Sequence, residues 1–477
     1  MRNNLPHQIR LLALACTLAL GACAALPDRE KAPSVKPIRD YQTERMFAGT
    51  RRAWPDDSWW TTYGDAQLSA LIDEALIGSP NVAIAQARLR QAQSFVYVAR
   101  AANLPQVTAN ASATEQMLSN NYITPKAATP QGWNDYGRAT LDLNWDLDLW
   151  GKNRAALAAA TSEAEAARAD VAEARLVLTT AIGVAYAELA RDYAALDTAQ
   201  AALNVRAKTS ELFRRRYEHG LETLGGVRQV DARRASAEAD VLSINEQVGL
   251  QRNRIAALLG AGPDRGLDIV RPTVNLSQAI GLPTELAADL LGRRPDIVAA
   301  RLRAEASSKR IDQAKAAFYP NVNLVAFVGL QSIGLNALTR NGSQIGSIGP
   351  AISLPVFDGG RLRGQLRGAD AEYAAAVADY DRTVVQALQE VADAATSQRA
   401  LGGQLAKTDE AVEAAREAWR IQNNRYEGGL STYLDVLSAE DTLLSNLRVQ
   451  SDLQSRSFSL DVALVRALGG GYVATQG

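Results

Sequence analysis

The sequence predicts a mixed α and β protein with two internal structural repeats, and three observations predict it. Leu141-Asp-Leu-Asn-Trp-Asp-Leu-Asp-Leu149 puts apolar side chains on odd positions and polar ones on even positions, the period of a strand with one apolar and one wet face. After Trp150-Gly151-Lys152 the chain runs for about 66 residues without proline and with a lone glycine, Gly183, which at ~1.5 Å per residue is a helix of about 100 Å. The same strand-then-rod order returns in the second half.

The N-terminus bounds the compartment. Arg2 and Arg10 precede a mostly apolar run from Leu11 to Ala22, too short to span a membrane and suited to a secretory signal. Residues 1–22 therefore read as a signal peptide, and the protein as exported. Leu20-Gly21-Ala22-Cys23 looks like a bacterial lipobox, so Cys23 is expected to become the first residue, carrying a diacylglyceryl thioether and an N-acyl chain such as palmitate. The plain alternative is an ordinary signal peptide with an incidental cysteine. Ala24 stands where an aspartate is missing, which leans towards the outer membrane.

Cys16 would leave with the signal and His219 is the histidine that remains, so the mature chain lacks the Cys and His clusters that metal and nucleophile chemistry use. No phosphate-cradling loop or nucleophile motif is present, and the expectation is a protein that is not an enzyme and needs no metal or cofactor beyond the lipid on Cys23. The net charge of −1, about −3 without the signal, gives no reason to expect nucleic acid as a partner.

Residues 23–64 read as a lipidated tether and equatorial contact, with scattered Pro27, Pro33, Pro37 and Pro55. Trp59-Trp60 opens a short helical pattern through Leu68, Leu71, Ile72 and Ala75. Ser79-Pro80 restarts a helix, serine as N-cap and proline in the first turn, where its missing N–H costs nothing. The first structural repeat spans about 65–280, with strands at about 105–116 and 137–149 and a long helix at about 152–218. The second spans about 281–468, with strands at about 320–331 and 346–357 and a long helix at about 361–427. Residues 469–477 form a tail.

The repeat rests on matched punctuation. Ser79-Pro80 to Leu104-Pro105 and Arg294-Pro295 to Tyr319-Pro320 bracket equivalent helices. Trp150-Gly151-Lys152 matches Gly359-Gly360-Arg361, and Arg216-Tyr-Glu-His-Gly-Leu221 matches Arg425-Tyr-Glu-Gly-Gly-Leu430. The paired glycines suit helix ends and tight turns. Helices of about 24 and about 38 residues flank each rod, together close to the rod's own length, so they fit end to end and antiparallel beside it.

Four alternating strands with polar loops in an exported chain are the signature of a transmembrane barrel, in which every backbone group must be paired. Four strands cannot close around a lumen, about eight being the practical minimum, so several chains must share one barrel. Spacing alone leaves eight and twelve strands open. The alternative is hairpins packed on a soluble domain.

The residues in family order are Trp59-Trp60, Leu68-Ser-Ala-Leu-Ile-Asp-Glu-Ala-Leu76, the Pro80 helix, Arg294-Pro-Asp296, Phe318-Tyr-Pro320, Pro355-Val-Phe-Asp-Gly-Gly-Arg361 and Arg425-Tyr-Glu-Gly-Gly-Leu430. They resemble the outer membrane factor family, the TolC and OprM type of efflux channel, in its NodT-type lipoprotein branch. The resemblance implies a homotrimer with a 12-stranded transmembrane β-barrel, a long α-helical periplasmic barrel and a mixed equatorial region. It implies a passive outer-membrane channel of a tripartite efflux system in a Gram-negative bacterium, exporting small molecules such as drugs. Its implied partners are outer-membrane lipid, a periplasmic adaptor and an inner-membrane pump of the resistance-nodulation-division type.

By the same resemblance Leu434 and Asp435 are the periplasmic aperture. Three copies of Asp435 around an axis would attract cations and resist closure, and Leu434 would add an apolar constriction. The plain alternative for Asp435 is a helix N-terminal carboxylate that complements the dipole. Gly225-Gly226 depart from the family pattern and point to the second repeat as the dominant constriction. Arg216, Arg228, Asp231 and Arg425 are candidates for tip salt bridges, with solvated surface charges as the alternative. Two rivals to the efflux reading are an exit duct for protein secretion and a periplasmic coiled-coil scaffold lipoprotein that does not span the membrane.

Overall fold

A computed structural model describes residues 33–37, 40–43, 45–47, 53–119, 121, 126–274 and 286–474. The expected signal peptide, Cys23 and the end of the tail lie outside the described residues. The helices are α1 (Ala66–Gly78), α2 (Pro80–Ala101), α3 (Lys152–Glu218), α4 (Leu224–Leu258), α5 (Asp264–Leu267), α6 (Leu286–Arg293), α7 (Pro295–Ala316), α8 (Arg361–Glu427) and α9 (Tyr433–Ala467). Lengths match in pairs: α3 and α8 have 67 residues each, α4 and α9 have 35, and α2 and α7 have 22. The chain forms two compact units, one holding residues 88–167 and 300–380, the other 36–87, 168–299 and 381–477.

The first unit is organised by one antiparallel sheet in chain order, β1 (Gln106–Met117), β2 (Trp133–Asp146), β3 (Asn321–Ile333) and β4 (Gln344–Ser353). Val107 opposes Leu143, Leu141 opposes Val328, and Ala326 opposes Ile348. Opposed residues share a face, so the register gathers these apolar side chains on one side of the sheet. Val107, Leu141, Val328 and Ile348 are all exposed there. The other side is polar in β1 and β2, where the Asp142 carboxylate accepts from Asn110 at 2.9 Å and from the Thr140 hydroxyl at 2.7 Å.

The return strands begin and end earlier than their alternation suggests. Asp146 accepts the backbone N–H of Asp148 at 2.9 Å, and Asp148, at φ 44°, accepts those of Asn153 and Arg154, both at 2.9 Å. Asp358 plays the same part before α8, accepting from Gly360 at 3.0 Å and Leu362 at 2.8 Å. The last alternating residues thus belong to helix-capping turns, because a carboxylate close to a helix start satisfies otherwise orphaned N–H groups. Beside them Trp150 stacks on Tyr319, centroids 4.8 Å apart, and donates its indole N–H to the Pro320 carbonyl at 2.8 Å.

The second unit holds the main core. Trp59–Tyr63 is a 3₁₀ turn rather than the start of α1, because Gly64 breaks it at φ 65° and Asp65 then caps α1, accepting from Gln67 and Leu68. Trp59, Tyr63, Leu71 and Ile72 pack against Ile182, Tyr186, Phe458 and Val462 in one cluster. The lone glycine of α3 has its reason here: a Cβ on Gly183 would lie 3.0 Å from the Trp59 ring and 3.1 Å from Val462. Tether residues lie along α8, with the Lys36 N–H donating to Asp381 at 3.2 Å and Arg399 donating to the Met46 carbonyl at 3.0 Å.

A buried ionic group closes this unit. Arg294 grips Asp296 through two nitrogens at 3.0 and 2.7 Å, and reaches Glu390 at 2.6 Å and the Ala467 carbonyl at 3.2 Å. Beside it burial pushes the Glu173 carboxyl up to about 7; the negative Asp296 adds to the rise and the positive Arg294 opposes it.

Candidate functional site

Both long helices end in the same turn. After α3, Gly220 at φ 71° lets the Leu221 N–H return to the Arg216 carbonyl at 2.8 Å; after α8, Gly429 at φ 75° lets Leu430 return to Arg425 at 2.8 Å. A side chain would strain either position, which is why glycine ends both rods. Thr223 and Thr432 then sit as extended N-caps of α4 and α9.

The caps are wired differently. Thr223 Oγ1 accepts the Gly226 N–H at 3.0 Å. Asp435 sits at the position equivalent to Gly226, and its carboxylate accepts from the Thr432 N–H at 2.9 Å and from the Thr432 hydroxyl at 2.7 Å. The hydroxyl bond, then the backbone bond and the charge of Arg425, hold the Asp435 carboxyl below the usual aspartate range. Asp435 thus fills the helix-capping role given above as its plain alternative, and it stays charged and exposed while doing so. Leu434, beside it, is 62% exposed.

The four salt-bridge candidates divide. Asp231 accepts from Ser210 at 2.6 Å and from Arg214 at 2.9 Å, with Arg228 at 4.0 Å, and the Ser210 bond followed by the Arg214 bond holds its carboxyl low. Arg214, which was not among the candidates, is therefore its close partner, with Arg228 further off. Arg425 donates to the Leu430 carbonyl at 3.4 Å, and Arg216 lies 5.7 Å from the centre of the Tyr426 ring.

Two contacts at this end were missed by sequence reasoning. Phe213 packs on Tyr433 at 4.6 Å between centroids and Tyr433 on Tyr426 at 5.3 Å, over buried Val227 and Val230, so an aromatic cluster joins the two turns. Aromatic residues are 6% of the chain, and their concentration beside both glycine turns was the available signal. Arg206 of α3 donates to Glu440 at 3.3 Å and to Asp441 at 3.1 Å, and Arg233 of α4 reaches Asp441 at 3.1 Å. Glu440 is buried, and burial pushes its carboxyl up against the opposing pull of Arg206. Among the described residues no group of three or more His, Cys, Asp or Glu side chains is placed to hold a metal.

Paired 67-residue helices that turn back through matched caps, joined to one four-stranded sheet, define the class of outer-membrane channel proteins. The chain superposes on the outer membrane protein VceC of Vibrio cholerae with a TM-score of 0.83 and 52% identity, covering 88% of this chain and 100% of that one. Within that class the chain belongs to the outer membrane efflux protein family, whose profile matches residues 71–261 and 286–470. It is 32% identical over 470 residues to the multidrug resistance outer membrane protein MdtP of Escherichia coli, covering 97% of this chain and 96% of that one. It is 38% identical over 373 residues to the fusaric acid resistance protein FusA of Burkholderia cepacia, covering 76% and 69%.

Proposed function

We propose that the chain is one protomer of a homotrimeric duct, the outer-membrane channel of a tripartite efflux system that exports small molecules such as drugs. The observation that carries this reading is the sheet: β1 and β4 are its edges, and its apolar face is exposed. In a bilayer such edges must be paired and such a face suits lipid. Three chains supplying four strands each close a 12-stranded barrel, with the two repeats of each chain as equivalent arms. The long helices then form the periplasmic barrel, and their turns form the gate, where Leu434 and Asp435 ring the axis.

Opening is driven from outside the duct. A periplasmic adaptor and an inner-membrane pump of the resistance-nodulation-division type supply energy and substrate choice, and the chain itself supplies no catalysis. Family membership and the likeness to multidrug and fusaric acid resistance proteins favour efflux over protein secretion. A lipid on Cys23 anchors the tether, which mass spectrometry of the mature N-terminus tests through Cys23→Ala. Purified protein in planar bilayers should conduct, and its mass in detergent should be that of three chains. A monomer without conductance rejects the duct and favours the scaffold.

A further inference from the structure

A cavity of about 170 Å³ opens in the first unit just past the end of the sheet, where β2, β3 and β4 give way to helices. Cations, acids and aromatic side chains together line this space. Lys152 and Arg361 bring two positive charges, both exposed, and Asp146 and Asp148 bring two negative ones. Asp148 is committed to the N–H groups of Asn153 and Arg154 and to the Arg154 side chain at 3.3 Å, which leaves Asp146 as the acid with a carboxylate oxygen to offer. Arg361 gives one of its five donors to Gln365 at 3.2 Å. Leu149 and Trp150 form the apolar wall, 59% and 46% exposed, and Trp150 is held in place by its stack on Tyr319.

We infer that this cavity binds the headgroup of a zwitterionic aminophospholipid, its phosphate on Lys152 and Arg361 and its ammonium on Asp146. The inference rests on the membrane position given under Proposed function. Two cations can share one phosphate and the one uncommitted acid can take one ammonium, whereas an anionic headgroup without an amine would leave Asp146 facing it unpaired. Trp150 suits the boundary between hydrocarbon and water, because its ring is apolar and its N–H is satisfied by a protein carbonyl. Leu149, in the turn that follows β2, is exposed and apolar, so the cavity mouth also offers a surface for the start of an acyl chain.

The test is native mass spectrometry of the full chain in detergent, titrated with dioctanoyl phosphatidylethanolamine or dioctanoyl phosphatidylglycerol, with planar-bilayer conductance of the same preparations. Wild type should retain the ethanolamine lipid in preference, and the double variant Lys152→Gln, Arg361→Gln should bind it at least about tenfold more weakly. Asp146→Asn should narrow the preference between the two lipids. Equal retention by wild type and the double variant overturns the site, as does an ethanolamine preference that Asp146→Asn leaves untouched. If conductance persists in that case, the lipid site falls and the duct stands; a wild type that neither assembles nor conducts overturns both.

Discussion

The two turns at the ends of the long helices share a backbone and differ in charge. Leu221 and Leu430 make the same 2.8 Å return bond, and each descending helix has a threonine cap. Yet the first turn has Gly226 where the second has Asp435. The acids one turn further on also part ways. Asp231 closes its own hairpin through Arg214, whereas its counterpart Glu440 reaches out of its hairpin to Arg206. The two turns share the geometry that glycine and threonine dictate and differ in their charges: one turn is self-contained, and the other is held to its neighbour and carries the exposed carboxylate.

Four changes probe that asymmetry, the first with the largest expected effect. Arg206→Ala leaves the buried Glu440 without its cation, which should cost on the order of 3 kcal/mol per protomer in denaturant unfolding and raise basal conductance. Asp435→Ala should lower the cation-over-anion permeability ratio about fivefold; a ratio that does not move removes Asp435 from the aperture. Because the hydroxyl and N–H of Thr432 hold that carboxyl low, wild-type selectivity should be flat from about pH 8 to about pH 5 and fade only in stronger acid. Gly226→Asp would give the first turn the second turn's charge and raise the ratio about twofold, provided Glu222 swings away, since a Cβ there would lie 2.9 Å from its carboxylate. Asp231→Asn, which breaks a bridge to the exposed Arg214 within one hairpin, should leave selectivity unchanged.

The sequence made the rods legible to the residue, because glycines end them and a proline-free run fills them: α3 and α8 occupy Lys152–Glu218 and Arg361–Glu427 as expected. Strand ends were less legible. Asp146 and Asp148 keep the alternation going while the carboxylate of Asp146 already holds the turn and that of Asp148 caps the next helix. At the tip, the turn and Asp435 could be read from spacing and resemblance, but the partner of Asp231 could not. Arg214-Arg215-Arg216 sweeps about 100° of helix per residue, and only packing decides which guanidinium faces α4. The aromatic cluster of Phe213, Tyr426 and Tyr433 was hidden for a similar reason: its members come from three helices.

Glu173 makes the core of the second unit a proton-linked structure. Its folded value of about 7 lies above the ordinary 4.5, so the folded chain holds a proton that the unfolded chain releases. The sign is opposite to that of Asp435. Stability is greatest below about pH 4.5 as far as this group is concerned, declines as pH rises towards 7, and levels off above it. The full difference is on the order of 3 kcal/mol per protomer. For a protein placed beyond the cytoplasm, whose surroundings follow the medium, acid would tighten the knot between the rods while leaving the charge at their far ends in place.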